Sequence, residues 1–177
     1  AALSVARERE LGTFEQLLMT PLRPHELLIG KTVPALIIGF AEGLAIAAAG
    51  VLIFGVPFRG SILVLVMALA VFLMSIIGIG LMASALARTQ QQAIIGAFAF
   101  LMPSVILSGF ATPVANMPEL IQHLTLINPL RYMLVILRGL FLQDAPWDLV
   151  AANLWPMALI GLATGTAATW LFRRRVA

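Results

Sequence analysis

Ile62 to Leu86 reads ILVLVMALAVFLMSIIGIGLMASAL, a run without a single charged residue. A helix rises about 1.5 Å per residue, so a run of this length passes through the roughly 30 Å hydrocarbon core of a bilayer. Three further stretches have the same character, at residues 33–56, 93–110 and 149–172. Each meets, or nearly meets, the ~20 residues that a crossing requires. Four crossings are therefore expected.

The rest of the composition agrees. Mean hydropathy is +1.02 and only 11% of the 177 residues are charged. A soluble domain carries about 25%, so this chain cannot cover a water-facing surface. There is no cysteine, which excludes a disulfide framework and a thiolate metal site. The sequence pI near 10.6 would suggest nucleic acid in a soluble protein. Here the basic residues cluster where apolar segments end, as expected where membrane segments meet cytoplasm. Residues 1–6 read as the end of a helix already under way, and the first residues lack the pattern of a cleavable signal. A preceding segment is expected.

Gly55-Val56-Pro57-Phe58-Arg59-Gly60 is a short turn, and Arg88-Thr89-Gln90-Gln91-Gln92 a polar one. Residues 111–148 form a longer connection. Four crossings put both ends on one side. That side holds Arg7, Arg9, Arg23, Lys31, Arg88, Arg173, Arg174 and Arg175, and the other holds Arg59, Arg131 and Arg138. The excess places both ends in the cytoplasm. Arg173-Arg174-Arg175 reads as a stop signal and headgroup anchor. Gly39 and Gly43, Gly78 and Gly80, and Gly161 and Gly165 offer small residues for close helix approach, either within the chain or across a dimer seam. Pro34, Pro103 and Pro156 lie in or beside crossing segments, where each removes a backbone donor.

Charge is densest at the start. RERELGTFEQLLMTPLRP, residues 7–24, surrounds an apolar face made by Leu11, Phe14, Leu18 and Leu22. Thr13 and Gln16 fit a capping box, Gly12 allows a sharp bend before it, and Pro21 and Pro24 stop the helix. A short amphipathic helix along the cytoplasmic surface is expected. It is either an anchor to the membrane surface or a handle for a soluble partner. Glu8, Glu10 and Glu15 would oppose anionic lipid, which favours the partner.

The long connection holds two helix starts. Pro118 opens one after Met117, with an apolar face of Leu120, Ile121, Leu124 and Ile127. Asn128 caps a second that begins at Pro129 and ends near residue 142. Neither is long enough to span, so the pair reads as an interfacial or re-entrant hairpin on the outer side. It is either a gate over a substrate route or a lid that seals the bundle. Arg131, Tyr132 and Arg138 would touch substrate or headgroups, or anchor the interface. His25 and His123 are lone histidines without partners at metal-ligand spacing. Glu42 is the one acidic residue deep in a crossing. A carboxylate there costs roughly 2.5–3.5 kcal/mol on insertion scales. It is expected to face a cavity, a partner or a proton, or to be hydrogen-bonded between helices.

ERELGTFEQLLMTPL (residues 8–22) with ELLIGK (residues 26–31) resembles the cytoplasmic loop of ABC-2 type permeases, the membrane subunits of ATP-driven exporters. SGFATPVANMPELIQHLTLINPLRYMLVILRGLFL (residues 108–142) is similar to that family's outer segment, with its SGF, P-x-x-N-M-P and N-P-L-x-Y patterns. The resemblance spans nearly the whole chain and is nearest to bacterial multidrug-type permeases.

It implies six crossings in a full permease, of which residues 1–177 would form the C-terminal part. It also implies an all-α integral membrane fold with four complete transmembrane helices, a cytoplasmic coupling helix and an outer re-entrant hairpin. By the same resemblance the opening helix docks on an ATPase subunit through Glu8, Glu10, Gly12, Thr13, Phe14, Glu15, Leu17, Leu18, Thr20 and Pro21. The outer hairpin would be carried by Asn116, Pro118, Asn128, Pro129, Tyr132 and Arg138. The implied partners are an ABC ATPase, a second permease subunit (the same or different) and membrane lipid, without nucleic acid. The implied location is a bacterial inner membrane.

The chain has no G-x-x-x-x-G-K-[ST] phosphate loop, no nucleophile–base pair and no metal cluster. A transport subunit without its own ATPase site is therefore expected, with ATP and Mg on the partner and no cofactor held here. The expected cargo is amphiphilic, drug-like or lipid-like, with Glu42 tilting it towards cations. Two other export cargoes, lipid and polysaccharide, fit the same architecture. A different class is an antiporter driven through Glu42 by an ion gradient. A third is a non-transporting scaffold.

Overall fold

The computed structural model describes residues 24–176 except 88 and 144, together with residues 7 and 10. Among them the chain is all-helical, without a strand. Four helices are long and apolar enough to cross a membrane. They are α1 (Pro24–Leu52), α2 (Ile62–Leu86), α3 (Gln90–Leu107) and α6 (Trp147–Val176). Between α3 and α6 lie a 3₁₀ turn (Val114–Asn116), α4 (Glu119–Leu124), a second 3₁₀ turn (Thr125–Ile127) and α5 (Pro129–Arg138). A π turn, Gly139–Gln143, continues α5.

The described part of α1 extends back to Pro24, well before the apolar run that announces it. Glu26 in the first turn suits the positive end of the helix dipole. Hydropathy alone marks the start near 33, since Lys31 and Thr32 are polar. At the other end Gly55 adopts φ +64, which glycine tolerates. The Val56 N–H returns to the Gly50 carbonyl at 3.0 Å, and the chain turns into α2.

Helix α2 is the hub. Of its spanning window 39% is buried, against 0% for α1 and 11% each for α3 and α6. It packs most extensively on α6, then on α1 and α5. The main core joins Leu65, Ala68 and Leu69 of α2, Met133 and Ile136 of α5, and Val150 and Met157 of α6. It therefore lies towards the end of the bundle that carries α4 and α5. A smaller cluster of Ile77, Leu81 and Ala168 extends it towards the other end.

Small residues set the closest approaches. A Cβ on Gly39 would meet Leu73, and one on Gly43 would meet Leu69. At the α2–α6 crossing, a Cβ on Gly161 would lie 2.9 Å from Ser75 Oγ, and one on Gly78 2.6 Å from Thr164 Oγ1. These four glycines serve packing within the chain. The Cβ positions of Gly50, Gly96 and Gly165 face open space.

Candidate functional site

The helical pair between α3 and α6 is the most organised polar region. Glu119–Ile127 and Pro129–Gln143 meet at 89°. Asn128 makes the corner. Its side-chain oxygen accepts from the Leu130 N–H at 3.1 Å, which caps α5. Its amide donates to the Ser104 carbonyl at 2.7 Å. That carbonyl lies in the last turn of α3, where helical acceptors run short of donors. The Ser108 N–H, one turn further on, goes to Val105 instead. One buried side chain thus starts one helix and finishes another.

Other residues hold the bend. The Tyr132 hydroxyl donates to the Leu126 carbonyl at 2.8 Å across the corner. The Arg131 guanidinium donates to Thr125 Oγ1 and lies 5.9 Å from the Tyr132 ring centroid. Thr125 Oγ1 in turn donates to the Gln122 carbonyl at 2.7 Å. The Pro118 carbonyl accepts the N–H groups of Ile121 and Gln122. Arg138 donates to the Gly109 carbonyl at 3.0 Å, just beyond the end of α3.

The six residues expected to carry the hairpin thus divide. Asn128, Pro129 and Tyr132 are buried and build the corner. Tyr132 has its hydroxyl committed to backbone, so it is a brace rather than a free surface group. Asn116 and Pro118 are exposed at the approach to α4, and Arg138 is exposed while tied to Gly109. Leu120, Leu124 and Ile127 of the expected apolar face are all exposed.

The π turn was not legible in the sequence. Its Leu140 carbonyl accepts the N–H groups of both Arg59 and Gly60, at 3.1 and 2.8 Å. Phe58 packs edge-on to Phe141 with centroids 5.1 Å apart. The α1–α2 turn is thereby fastened to the end of α5. Beside this junction an apolar cleft of about 440 Å³ opens between α1, α2 and α5. Gly43, Leu69, Phe72, Met133 and Phe141 line it, with Arg138 as its charged residue.

Glu42 does not line that cleft. It stands exposed on α1, one residue from Gly43, among exposed Ile38, Ala41, Ala45 and Ile46. The cavity, partner or second helix expected around it is not supplied by the described residues.

Of the opening segment, Glu8, Gly12, Thr13, Phe14, Glu15, Leu17, Leu18, Thr20 and Pro21 lie outside the described residues. Glu10 is exposed and helical, and its carboxylate accepts the Gln90 N–H at 2.8 Å. Gln90 is the first residue of α3. Thr89 caps the same end, its hydroxyl oxygen accepting from the Gln92 N–H at 3.2 Å.

Residues 1–142 match the family described as ABC-2 type transporter. The chain is 45% identical over 175 residues to the probable multidrug ABC transporter permease YbhR of Escherichia coli K12, covering 99% of this chain and 48% of that protein. It is 39% identical over 179 residues to the probable multidrug ABC transporter permease YbhS of the same organism, covering 98% and 46%. It is 29% identical over 174 residues to the inner membrane transport permease YhhJ, covering 98% and 46%. The chain spans about half the length of the curated relatives it matches. No solved structure matches it.

Proposed function

The chain belongs to the ABC-2 type transporter family, and from that premise we propose that it is the C-terminal part of a permease subunit of an ATP-driven exporter. A separate ATPase supplies the energy. A second permease subunit, the same or different, completes the pathway in a bacterial inner membrane. The observation that carries this reading is the family match over residues 1–142, on a chain with four helices fit to span.

In this reading residues 7–24 lie on the cytoplasmic side and contact the ATPase. The α4–α5 pair lies on the outer side as a re-entrant hairpin, because neither half is long enough to span and the two meet nearly at a right angle. Closure of the ATPase on ATP moves the opening segment, and the helices joined to it shift between inward-open and outward-open arrangements. ATP and Mg are held by the partner subunit. Phe14, Glu15 and Leu18 supply the contact, the apolar groups filling a groove and the Glu15 carboxylate meeting its cations, while the Glu10 carboxylate is engaged by the Gln90 N–H of this chain.

The cargo is amphiphilic, as the multidrug designation of the relatives supports. Glu42, an exposed carboxylate in the middle of α1, faces it as a cation contact. The same carboxylate carries the competing reading, an antiporter driven by an ion gradient.

Co-purification decides between the two. The full-length permease is expected to capture an ATPase in mild detergent. Phe14→Ala with Glu15→Arg is expected to abolish the capture at an unchanged membrane level. Capture by the double variant at the wild-type level would move the docking surface elsewhere. An unmutated permease that transports without any ATPase would establish the antiporter.

A further inference from the structure

Among the described residues, helix α3 is held by polar contacts at its two ends and is little buried between them. Its buried residues are Ala93 and Ser104. They are eleven positions apart, three helical turns, and so lie on one face. Between them Ile94, Ile95, Phe98, Leu101 and Met102 are exposed. A cleft of about 300 Å³ lies between the middle of α3 (Ala97, Phe100, Leu101) and α1 and α2.

The attachments at the ends are polar and directional. At the first end the Glu10 carboxylate accepts the Gln90 N–H, a negative group on the positive end of the helix dipole. At the far end Asn128 donates to the Ser104 carbonyl, and Arg138 reaches Gly109 just past the helix. Helical backbone is stiff along its axis, whereas side-chain packing between helices slides. A helix fastened at both termini by directional polar contacts carries displacement from one end to the other.

We propose that α3 is a strut that transmits movement of the opening segment, through Glu10 and Gln90, to the α4–α5 corner through Ser104 and Asn128. This deepens the permease reading and rests on residues 7–24 being the ATPase contact. Glu10 and Asn128 are positioning residues. Neither need touch cargo or nucleotide.

The two functions of Asn128 can be separated. Asn128→Asp keeps an oxygen to cap α5 and loses the donor to Ser104. Asn128→Ser keeps a shorter cap and also loses that reach. Glu10→Ala removes the acceptor at the other end, and Glu10→Gln restores a neutral one. This segment has no cysteine, so Leu124→Cys, exposed on α4, takes a spin label in a full-length permease freed of cysteines elsewhere. The permease is reconstituted with its ATPase in phosphatidylethanolamine–phosphatidylglycerol vesicles.

The label is expected to change mobility on ATP addition in the parent. The change should fall at least about fivefold in Glu10→Ala, Asn128→Asp and Asn128→Ser, as loss of one hydrogen bond allows, and return in Glu10→Gln. ATPase capture and hydrolysis should persist in all of them. An unaltered ATP response in the folded Asn128 variants and in Glu10→Ala would overturn the strut while leaving the permease reading standing. Failure of the parent to capture any ATPase would overturn that reading, and the strut's part in coupling with it. Glu10 is exposed, so its variants report even where a change at Asn128 prevents folding.

Discussion

The Ser75 hydroxyl of α2 donates to the Met157 carbonyl of α6 at 2.8 Å, directly beside Gly161. The same hydroxyl lies 3.0 Å from its own helix at the Val71 carbonyl. The contact exists because Gly161 has no side chain. A Cβ there would lie 2.9 Å from Ser75 Oγ and 3.4 Å from Ser75 Cα and N. Gly78, nearly one turn from Ser75, makes the matching approach to Thr164 and Gly165. In lipid, where apolar burial does not drive helices together, such close contacts carry much of the association.

Gly161→Leu is therefore expected to force α2 and α6 apart and to destabilise the folded protein by about 1–3 kcal/mol, the usual cost of overpacking. Ser75→Ala removes one interhelical hydrogen bond and should cost about 0.6 kcal/mol, near the membrane average. Thermal unfolding of the detergent-solubilised protein reads both. The ordering Gly161→Leu worse than Ser75→Ala is the test. A Ser75→Ala loss as large as that of Gly161→Leu would show that the hydroxyl, and not the close approach, holds the crossing.

Gly60 is the second position where backbone needs backbone. A Cβ there would lie 3.0 Å from Leu140 Cα and 3.1 Å from the Leu140 carbonyl oxygen, and would also meet the Leu140 side chain. Backbone atoms cannot swing aside as a side-chain tip can. Gly60→Val is expected to break both hydrogen bonds into the π turn and to lower stability by about 1–3 kcal/mol. Phe141→Leu keeps those bonds, loses the ring contact with Phe58 and retains an apolar group against the core, so it should cost less. Paired unfolding measurements on the two variants check this.

What the sequence discloses follows from how local the cause is. The four spanning helices are legible because a bilayer demands a long apolar run, and α2 ends at the residues its hydropathy marks. Asn128 as a cap is legible because Asn before Pro at a helix start is local chemistry. The extension of α1 back to Pro24 is blurred because Lys31 and Thr32 interrupt the hydropathy but not the helix. The partner of Asn128's amide is not legible at all: Ser104 lies 24 residues away. For the same reason a small-residue pattern names Gly78 and Gly161 without saying that they share one crossing. The inward commitment of the Tyr132 hydroxyl is likewise hidden, since an aromatic in an outer segment reads equally well as an interface anchor. The exposed side of Glu42 depends on which face of α1 meets α2, which only the packing of Gly39 and Gly43 reveals.

Glu42→Gln removes charge while keeping shape and hydrogen-bonding groups. On the proposed cargo contact, transport of a cationic amphiphile such as a rhodamine dye is expected to weaken by roughly ten- to a hundredfold in apparent affinity. This is the range for loss of a charge-assisted contact of about 1.5–3 kcal/mol. A neutral amphiphile should be carried as before. Equal loss for both would mean that Glu42 supports the fold and does not read charge. Membrane level is measured alongside, because removing a carboxylate from a spanning helix also eases insertion.

Arg138 and Gly109 give the last prediction. Gly109 adopts φ +88 immediately after α3, and a Cβ there would lie 3.2 Å from Val114 Cγ2. Its carbonyl is then aimed at Arg138. Gly109→Ala should cost about 1–2 kcal/mol, because residues with a Cβ resist that backbone region. Arg138→Ala should cost less, about 0.5–1.5 kcal/mol, since only the hydrogen bond is lost and the side chain is exposed. If the turn exists to present that carbonyl to Arg138, the two changes share one interaction. The double variant should then be less destabilised than the sum of the singles, as contacting residues in a double-mutant cycle are. Strict additivity in thermal unfolding would separate the turn from the arginine and leave Asn128 as the fastening between α3 and the α4–α5 corner.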